Sequence, residues 1–515
     1  MQKSNKLSSS LFRLVKSLSK PEKGYFKKYI SFHVQGERNN YAVLFDIIDG
    51  LDRYDNDLIR RKAAEAGIKK RADMTERYLF DTILRSLGDY YIESSEGAGI
   101  QRMLHHAEIL YEKSLYHECG KILEKAKQAA GMRGRYLSLL EILSQEEELL
   151  RSRQNLSGMQ RFTGEGFREE HMYINLYRNV REYKELMARV YAEMIRKGPA
   201  RSPGDLQKLS ILMKHPLLSS ANKALSFEAK SLFYDIHSAF YFAKGDSPGT
   251  YRYSRELVRH LESSREQMSA ESGKAKYIYA LSNLLAGCLK LKRDTDFFEY
   301  LRKLRGIPAK SVTNQARIFT RSYSLELSLY NERGQFSEGL GIISDITRGL
   351  DRFKTEISSP QRLLFYYNIA YLCFGNKMYR DALRWLNNIR NDKTAEVNSI
   401  LFCFAEIFSL IIHFELGNED LLEHKVLSAY RALYKKNSLY KVENCLLSFI
   451  RKKLPKISSG AQLTGEFALL KKELEKIMRN PFEEKALEYF DFISWLESKI
   501  EGRPFAEIVR EKAKK

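Results

Sequence analysis

A group of imidazoles and a thiol forms the densest set of metal-binding side chains in the sequence. His105, His106, His117 and Cys119 carry nitrogen and sulfur atoms of the kind that Zn²⁺ prefers. No His-Glu-x-x-His pair is present to place two imidazoles on one helical face. On a single helix His106 and His117 would lie about 16 Å apart, so they can share a metal only if the chain turns near Ser114. Without that turn we expect solvated or core histidines, and we predict no metal and no other cofactor.

Motifs for nucleotide binding and for nucleophilic catalysis are incomplete or absent. The chain contains no Gly-x-x-x-x-Gly-Lys-Ser/Thr loop and no Gly-x-Ser-x-Gly elbow. The glycine-containing stretches 97–102 and 164–169 lack the third glycine of a dinucleotide fingerprint. The acidic clusters 146–148 and 169–170 are typical of solvated helix faces, because paired carboxylates catalyse only where their surroundings separate their pKa values. We therefore predict no catalytic residue and no enzymatic activity.

The composition predicts that helices position whatever side chains carry the function. Hydrophobic residues make up 43% and charged residues 29% of the 515 residues, which is ordinary for a folded protein. Only 10 residues are proline, and Val and Thr are sparse beside Leu, Lys and Glu, so helix is favoured over strand. The prediction is an all-α protein.

Residues 1–95 predict a helical module of their own. Residues 19–22 combine a capping serine, an early proline and a glutamate, which together mark a helix start. Apolar residues recur at helical spacing within 41–51 and 78–91. The composition of residues 93–99, with serine, glycine and alanine, is typical of a linker, and we expect the module to end there.

One stretch of this module resembles the corner of a helix-turn-helix. Ala63 precedes Gly67 by four residues, Ile68 follows at once, and three basic residues come next. The apolar residue that the motif needs at Asp73 is displaced by one place to Met74. DNA binding by this segment is therefore kept as an alternative.

Beyond residue 100 the sequence becomes self-similar, as expected of stacked helical units. The clearest unit spans residues 363–390, and it alternates large and small residues at Tyr366, Ile369, Ala370, Tyr379, Ala382, Leu386 and Ile389. This segment resembles a tetratricopeptide repeat. Cys373 replaces the tyrosine usual late in the first helix, and Thr394 stands in place of the closing proline.

The same pattern extends over the segments 103–130, 321–350 and 413–433. Gly339, Ala382 and Leu422 are equivalent small or medium positions, spaced 43 and 40 residues apart. Small residues let the helices of a pair approach each other, while larger ones fill the space between pairs.

The resemblance implies a tetratricopeptide-like α-solenoid of antiparallel helix pairs over residues 100–455. Glycine and proline positions predict short turns between helices, and 158–166 is expected to be a flexible separator between two helices. Residues 461–515 predict two capping helices followed by a charged tail.

The resemblance also implies a non-catalytic scaffold or adaptor that binds a protein or peptide on its concave face. The first-helix positions expected to face that concavity are Arg321, Ser324, Ser328, Asn331, Leu364, Tyr367, Tyr371 and Phe374. The family's clamp for a peptide carboxylate uses Lys and Asn at such places, whereas this chain has Ser324 and Ser328 there.

The charge of the chain supports a rival function. The formal net charge is +21, of which residues 1–38 contribute +7 and residues 425–456 contribute +8. Such clusters bind phosphate backbones or acidic proteins with strong salt dependence, or they simply keep a helical protein soluble. A nucleic-acid-binding regulator that uses these two segments is therefore the alternative.

No segment predicts export or membrane insertion. Lys6, Arg13 and Lys16 interrupt the amino-terminal apolar residues, and the apolar run 400–414 is shorter than the ~20 residues of a membrane span. The five cysteines are scattered without a Cys-x-x-Cys pair, which favours a reducing compartment. The expectation is a cytoplasmic protein without a membrane partner.

Overall fold

All regular secondary structure in the described part of the chain is helical, which confirms the predicted all-α class. The computed structural model describes residues 2–33, 40–68, 72–92, 96–197, 203–392, 399–418, 425–426, 441–454, 459–480, 483 and 489–514. The chain forms two compact units, Met1–Tyr177 and Arg178–Lys515. The boundary between these units falls within residues 100–455, for which the sequence predicts one repeat region, and the predicted three-part division stays a prediction.

The first unit begins with helices that share one apolar core. These are α1 (Gln2–Ser17), α2 (Lys20–His33), α3 (Asn40–Asp49), α4 (Asn56–Glu65) and α5 (Ala72–Tyr91). Leu11, Phe26, Phe45, Ile59 and Leu79 are buried together, with one residue from each helix.

The remaining helices of this unit pack in sequence order. They are α6 (Glu96–Glu112), α7 (Tyr116–Met132), α8 (Tyr136–Ser152) and α9 (Leu156–Arg161), and α10 (Phe167–Lys197) runs from this unit into the next. Leu104, Leu123 and Leu139 form part of a second core between α6, α7 and α8.

The second unit is a series of helix pairs. Its helices are α11 (Pro203–Leu212), α12 (Phe227–Lys244), α13 (Ser247–Glu262), α14 (Arg265–Ser269), α15 (Glu271–Lys290), α16 (Asp294–Arg305), α17 (Val312–Glu332), α18 (Phe336–Leu340), α19 (Ile343–Arg352), α20 (Ser359–Gly375), α21 (Tyr379–Asn391), α22 (Ser399–Glu415), α23 (Lys441–Ser448), α24 (Gly460–Met478), α25 (Phe492–Glu501) and α26 (Phe505–Lys514). The helices α12, α15, α17 and α20 each pack on the helix that follows them. The helices α15, α17, α20 and α22 also pack on one another in that order. We call α12, α15, α17, α20 and α22 the first helices.

One turn recurs between the helices of these pairs. The residue that ends each first helix has a left-handed backbone, as at Lys292, Gly334, Lys377 and Gly417. The next residue then donates its amide hydrogen to the carbonyl five residues earlier, for example from Met378 to Cys373 over 2.9 Å. This is the Schellman arrangement, which satisfies the last carbonyls of a helix. Its spacing of 42, 43 and 40 residues sets the length of the repeat.

The turn confirms the sequence register of the repeats and shows which repeats were missed. Gly339 and Ala382 both lie five residues after a turn residue, as their predicted equivalence requires, whereas Leu422 lies outside the described residues. The pairs α12–α13 and α15–α16 were not predicted. Thr250 and Phe297 occupy the equivalent position there, so the small residue used as the signal is missing.

Close helix approach explains one glycine of the series. A methyl group at Gly349 on α19 would overlap the ring of Phe319 on α17. Phe319 in turn lies 5.7 Å from Phe365 on α20, centroid to centroid. The absence of a side chain at residue 349 therefore lets an aromatic core form between consecutive repeats.

Three expectations about connecting segments were wrong. Residues 96–99, predicted as part of a linker, begin α6, while 93–95 lie outside the described residues. Residues 158–166 do not separate two helices flexibly, because a π-helical turn at Phe162–Gly166 joins α9 to α10 without a break. An ion pair of 2.8 Å between Arg161 and Glu165 spans this turn. The predicted charged tail is helical up to Lys514, where it forms the end of α26.

Candidate binding surface

The surface of the first helices is the candidate site, and it divides into a covered and an open part. We define the first-helix face as the solvent-facing side chains of α12, α15 and α17, with the side chains of α10 that contact them. The corresponding side of α20 and α22 is covered by residues 489–514. This division decides which of the predicted binding residues are accessible.

The aromatic residues predicted for partner binding are buried. Tyr367, Tyr371 and Phe374 on α20 are 1%, 8% and 2% exposed. The rings of Tyr371 and Phe374 lie 5.1 and 5.3 Å from the ring of Phe490. The expectation that these side chains face an open concavity is therefore wrong, because the C-terminal segment folds back onto them.

Polar contacts fix the C-terminal segment in this position. The indole nitrogen of Trp495 donates to Glu415 Oε1 over 2.7 Å, and Lys499 Nζ donates to Glu415 Oε2 over 2.6 Å. Further along, the guanidinium of Arg510 donates to the carbonyl of Gly334 over 3.2 Å. Helices α25 and α26 are thus held both by α22 and by the turn that follows α17.

The predicted positions on α17 have mixed outcomes. Asn331 is only 3% exposed, and its amide nitrogen donates to the carbonyl of Asn368 over 3.1 Å, so it is a packing residue and the expectation that it faces the concavity is wrong. Arg321 is exposed and Ser324 and Ser328 are half-buried. On α20, Leu364 is 40% exposed. The open part of the predicted site is therefore the row on α17, not the tyrosines of α20.

A lysine-bridged glutamate lies on the first-helix face. Glu228 on α12 accepts an ion pair from Lys184 on α10 at 3.0 Å and from Lys276 on α15 at 3.7 Å. All three side chains are at least one-third exposed. The carboxylate is thus matched by cations from both neighbouring helices.

A second acid lies two helical turns further along the same helices. Asp235 follows Glu228 by seven residues on α12, and Tyr191 follows Lys184 by seven residues on α10. The hydroxyl of Tyr191 is hydrogen-bonded to that of Tyr279 on α15. We call Asp235, Tyr191 and Tyr279 the Asp235 site.

The electrostatics of the Asp235 site are unusual. The Oδ1 atom of Asp235 is buried and has no hydrogen-bond partner, although the residue as a whole is half-buried. Burial raises the pKa of this carboxyl to about 7. Burial, followed by the charge of Asp235 and the hydrogen bond with Tyr279, raises the pKa of Tyr191 far above its ordinary value. Sequence reasoning missed this site, because a single aspartate within a helix carries no motif.

The histidine group does not form a metal centre among the described residues. The chain does turn at Ser114, where φ is +58°, as metal sharing required. His105, His106 and His117 are nevertheless exposed while Cys119 is buried, and His105 pairs with Glu108 at 3.3 Å. Within the described ranges no three His, Cys, Asp or Glu side chains come together in a way that would hold a metal ion.

Basic residues near the amino terminus are partly neutralised. Lys23 and Lys27 on α2 pair with Asp49 and Asp46 on α3 at 2.5 and 2.8 Å. The other predicted basic segment, 425–456, is described only at 425–426 and 441–454, where Arg451 and Lys452 are exposed.

The helix-turn-helix-like segment has the predicted order of elements. Helix α4 ends before Gly67, whose φ is +87°, and α5 begins at Ala72, while the basic residues 69–71 lie outside the described residues. Ala63 and Ile68 are buried, as the motif needs. Met74 is 63% exposed, so the displaced apolar residue does not enter the core.

Comparison with known proteins assigns no relative to this arrangement. No protein-family model, no curated protein and no solved structure matches the chain significantly. Across the described residues, no helix is both long and apolar enough to cross a bilayer.

Proposed function

We propose that this chain is a non-catalytic scaffold with tetratricopeptide-like repeats that binds a protein or peptide on its first-helix face. The recurrence of one turn at intervals of 42, 43 and 40 residues supports the likeness to the family. Successive first helices that pack on one another give the extended surface that such proteins use.

A single observation carries this proposal, namely that the first-helix face is open at α17 while α20 is covered. Arg321 is exposed and forms no ion pair among the described residues, next to the half-buried Ser324 and Ser328. The aromatic residues of α20 are occupied by the chain's own C-terminal helices. A partner that binds the first helices therefore meets polar and charged side chains, with α17 at the edge of the covered part.

Affinity capture with a charge reversal tests the proposal. Arg321→Glu is expected to reduce the amount of captured partner at least tenfold relative to the wild type, because a guanidinium at an interface is a common hot spot. Arg380→Glu on α21 is the matched control, since this arginine is also exposed and lies on a second helix. Quantitative mass spectrometry would compare the three proteins at equal concentration. Equal capture by the wild type and both variants would contradict the proposal.

The free thiols support a reducing compartment for this scaffold. All five cysteines are unpaired, and four of them are buried. Disulfides are rare in the cytosol, where thiols are kept reduced. We place the protein in the cytoplasm as part of the same proposal.

A second candidate function is nucleic-acid binding by the first 92 residues. The observation that favours it is the order of α4, a left-handed Gly67 and α5, with Ala63 buried at the corner. A salt titration with random duplex DNA tests it, because phosphate contacts weaken linearly in log-log coordinates as salt rises. Absence of binding even at about 20 mM salt would remove this candidate.

A further inference from the structure

Two acids on one face of α12 have opposite surroundings. Glu228 is matched by Lys184 and Lys276 from the helices on either side. Asp235, two turns further along, has Tyr191 on the first of these helices and Tyr279 on the second. The two tyrosines therefore flank the second acid as the two lysines flank the first, and the second acid has no cation.

Burial of an unmatched carboxylate is unfavourable, so the absence of a partner needs a physical reason. Transfer of a carboxylate out of water costs free energy unless a cation or several hydrogen bonds replace its hydration. The Oδ1 atom of Asp235 has neither among the described residues. A carboxylate in this state gains most from a cation that arrives from outside the chain.

No charged group of the surrounding helices supplies that cation. The charged and titratable side chains on the elements packed against α12 are Lys184 and Tyr191 on α10, Lys208 on α11, Arg252 and Glu256 on α13, and Lys276 and Tyr279 on α15. Of these, Lys184 and Lys276 pair with Glu228 on α12. Arg252 lies over the ring of Tyr253, Glu256 pairs with Arg259, and Lys208 is exposed. His237, also on α12, accepts or donates a hydrogen bond at the carbonyl of Phe233.

We propose that the Asp235 site binds the cationic side chain, arginine or lysine, of the peptide that the first-helix face takes. Asp235 supplies the carboxylate, and the hydroxyls of Tyr191 and Tyr279 border it on the two neighbouring helices. The ionised carboxylate is the form that binds, so binding below neutral pH releases the carboxyl proton to solvent. This site rests on the proposed scaffold function and names the chemistry of its ligand.

Titration with a capped amino acid tests the site on the full-length protein. The probe is N-acetyl-arginine amide, compared with N-acetyl-citrulline amide, which has nearly the same shape and no charge. Ligand-observed NMR would give both dissociation constants. We expect at least tenfold tighter binding of the arginine probe at pH 8. At pH 6 its binding should be about tenfold weaker, in proportion to the ionised fraction of Asp235.

Two variants and one control make the result specific. Asp235→Asn should abolish both the preference for arginine and its pH dependence, whereas Tyr279→Phe should retain the pH dependence and weaken binding several-fold. Asp381→Asn removes an aspartate that pairs with Arg384 on α21, and it should leave binding unchanged. Equal binding of the two probes by the wild type, no binding of either up to about 50 mM, or an unchanged preference in Asp235→Asn would each overturn the site.

Failure of this inference is distinguishable from failure of the scaffold proposal. If Arg321→Glu loses the captured partner while Asp235→Asn retains it and binds no less of the arginine probe than the wild type, the scaffold stands and the cation site falls. If neither substitution affects capture and the probe does not bind, both fall.

Discussion

The backbone amide of Asp491 donates a hydrogen bond of 3.3 Å to the hydroxyl of Tyr371, 120 residues earlier in the chain. The ring of Tyr371 also lies 6.2 Å from that of Phe505, at the start of α26. Burial and the nearby charge of Asp491 keep the pKa of Tyr371 well above its ordinary value, so the hydroxyl stays protonated. Tyr371 therefore belongs to the core between a first helix and the C-terminal helices.

Substitution of Tyr371 by alanine is expected to destabilise the second unit. Removal of a buried aromatic side chain costs about 3–5 kcal/mol of unfolding free energy. The C-terminal helices would lose both the ring contacts and the hydrogen bond from Asp491. Urea unfolding followed by circular dichroism would measure the loss. A variant with wild-type stability and selectively lost partner capture would show instead that Tyr371 is a binding residue.

Leu364→Ala is the matched control on the same helix. Leu364 is 40% exposed, three turns of helix from the covered end of α20. We expect a change below about 1 kcal/mol, because most of the side chain is not removed from water on folding.

The helix pairs were predictable from the sequence because their packing is local, whereas the cover was not. Ala382 and Gly339 mark consecutive pairs, and each contacts residues close to it in sequence or in the adjacent repeat. The contact between Tyr371 and Phe490 joins segments more than a hundred residues apart, and no periodicity encodes it. An exposed and a covered first helix therefore have the same sequence pattern.

Gly349→Ala is expected to destabilise the second unit although alanine favours helix. A methyl group there would overlap the ring of Phe319, which packs against Phe365 in the core. Overpacking of this kind costs about 1–3 kcal/mol. Thermal unfolding would measure it as a lower melting temperature.

Gly131→Ala on α7 provides the contrast. A methyl group at Gly131 meets no atom within 4 Å. The helix propensity of alanine should then stabilise the first unit by up to about 1 kcal/mol. A similar loss of stability in both variants would show that the contact with Phe319 does not limit residue 349.

The glycines of the recurrent turn should differ in their tolerance of a side chain. Gly334 and Gly417 both have left-handed backbones, with φ of +64° and +69°. Alanine costs about 1–2 kcal/mol at either position from the backbone alone. At Gly334 the added carbon would also lie 2.9 Å from the backbone nitrogen of Arg510, so Gly334→Ala should cost more than Gly417→Ala, which meets no atom within 4 Å. Equal costs in urea unfolding would indicate that α26 does not rest on this turn.

The candidate site was predictable only in part. Arg321 and Ser328 are on the first-helix face because the repeat register of α17 was correct. Asp235 was not identified, because its role depends on side chains from α10 and α15 that lie 44 residues before and after it in sequence. Helical periodicity places Asp235 on a helix, but it cannot show that the neighbouring helices lack a cation.

The buried carboxyl of Asp235 should make stability fall as pH rises. Its pKa is about 7 in the folded protein and close to 3.8 in the unfolded chain, so the folded state binds the extra proton between these values. Stability is therefore highest below about pH 4 in this respect, declines as pH rises, and levels off above about pH 8. Asp235→Asn removes this decline. We expect the stability of the variant relative to the wild type to grow between pH 5 and pH 8 by on the order of 2–3 kcal/mol. Urea unfolding at several pH values measures the difference, and Asp381→Asn should show no such growth. Parallel pH profiles for Asp235→Asn and the wild type would mean that the carboxyl is already ionised in the folded protein.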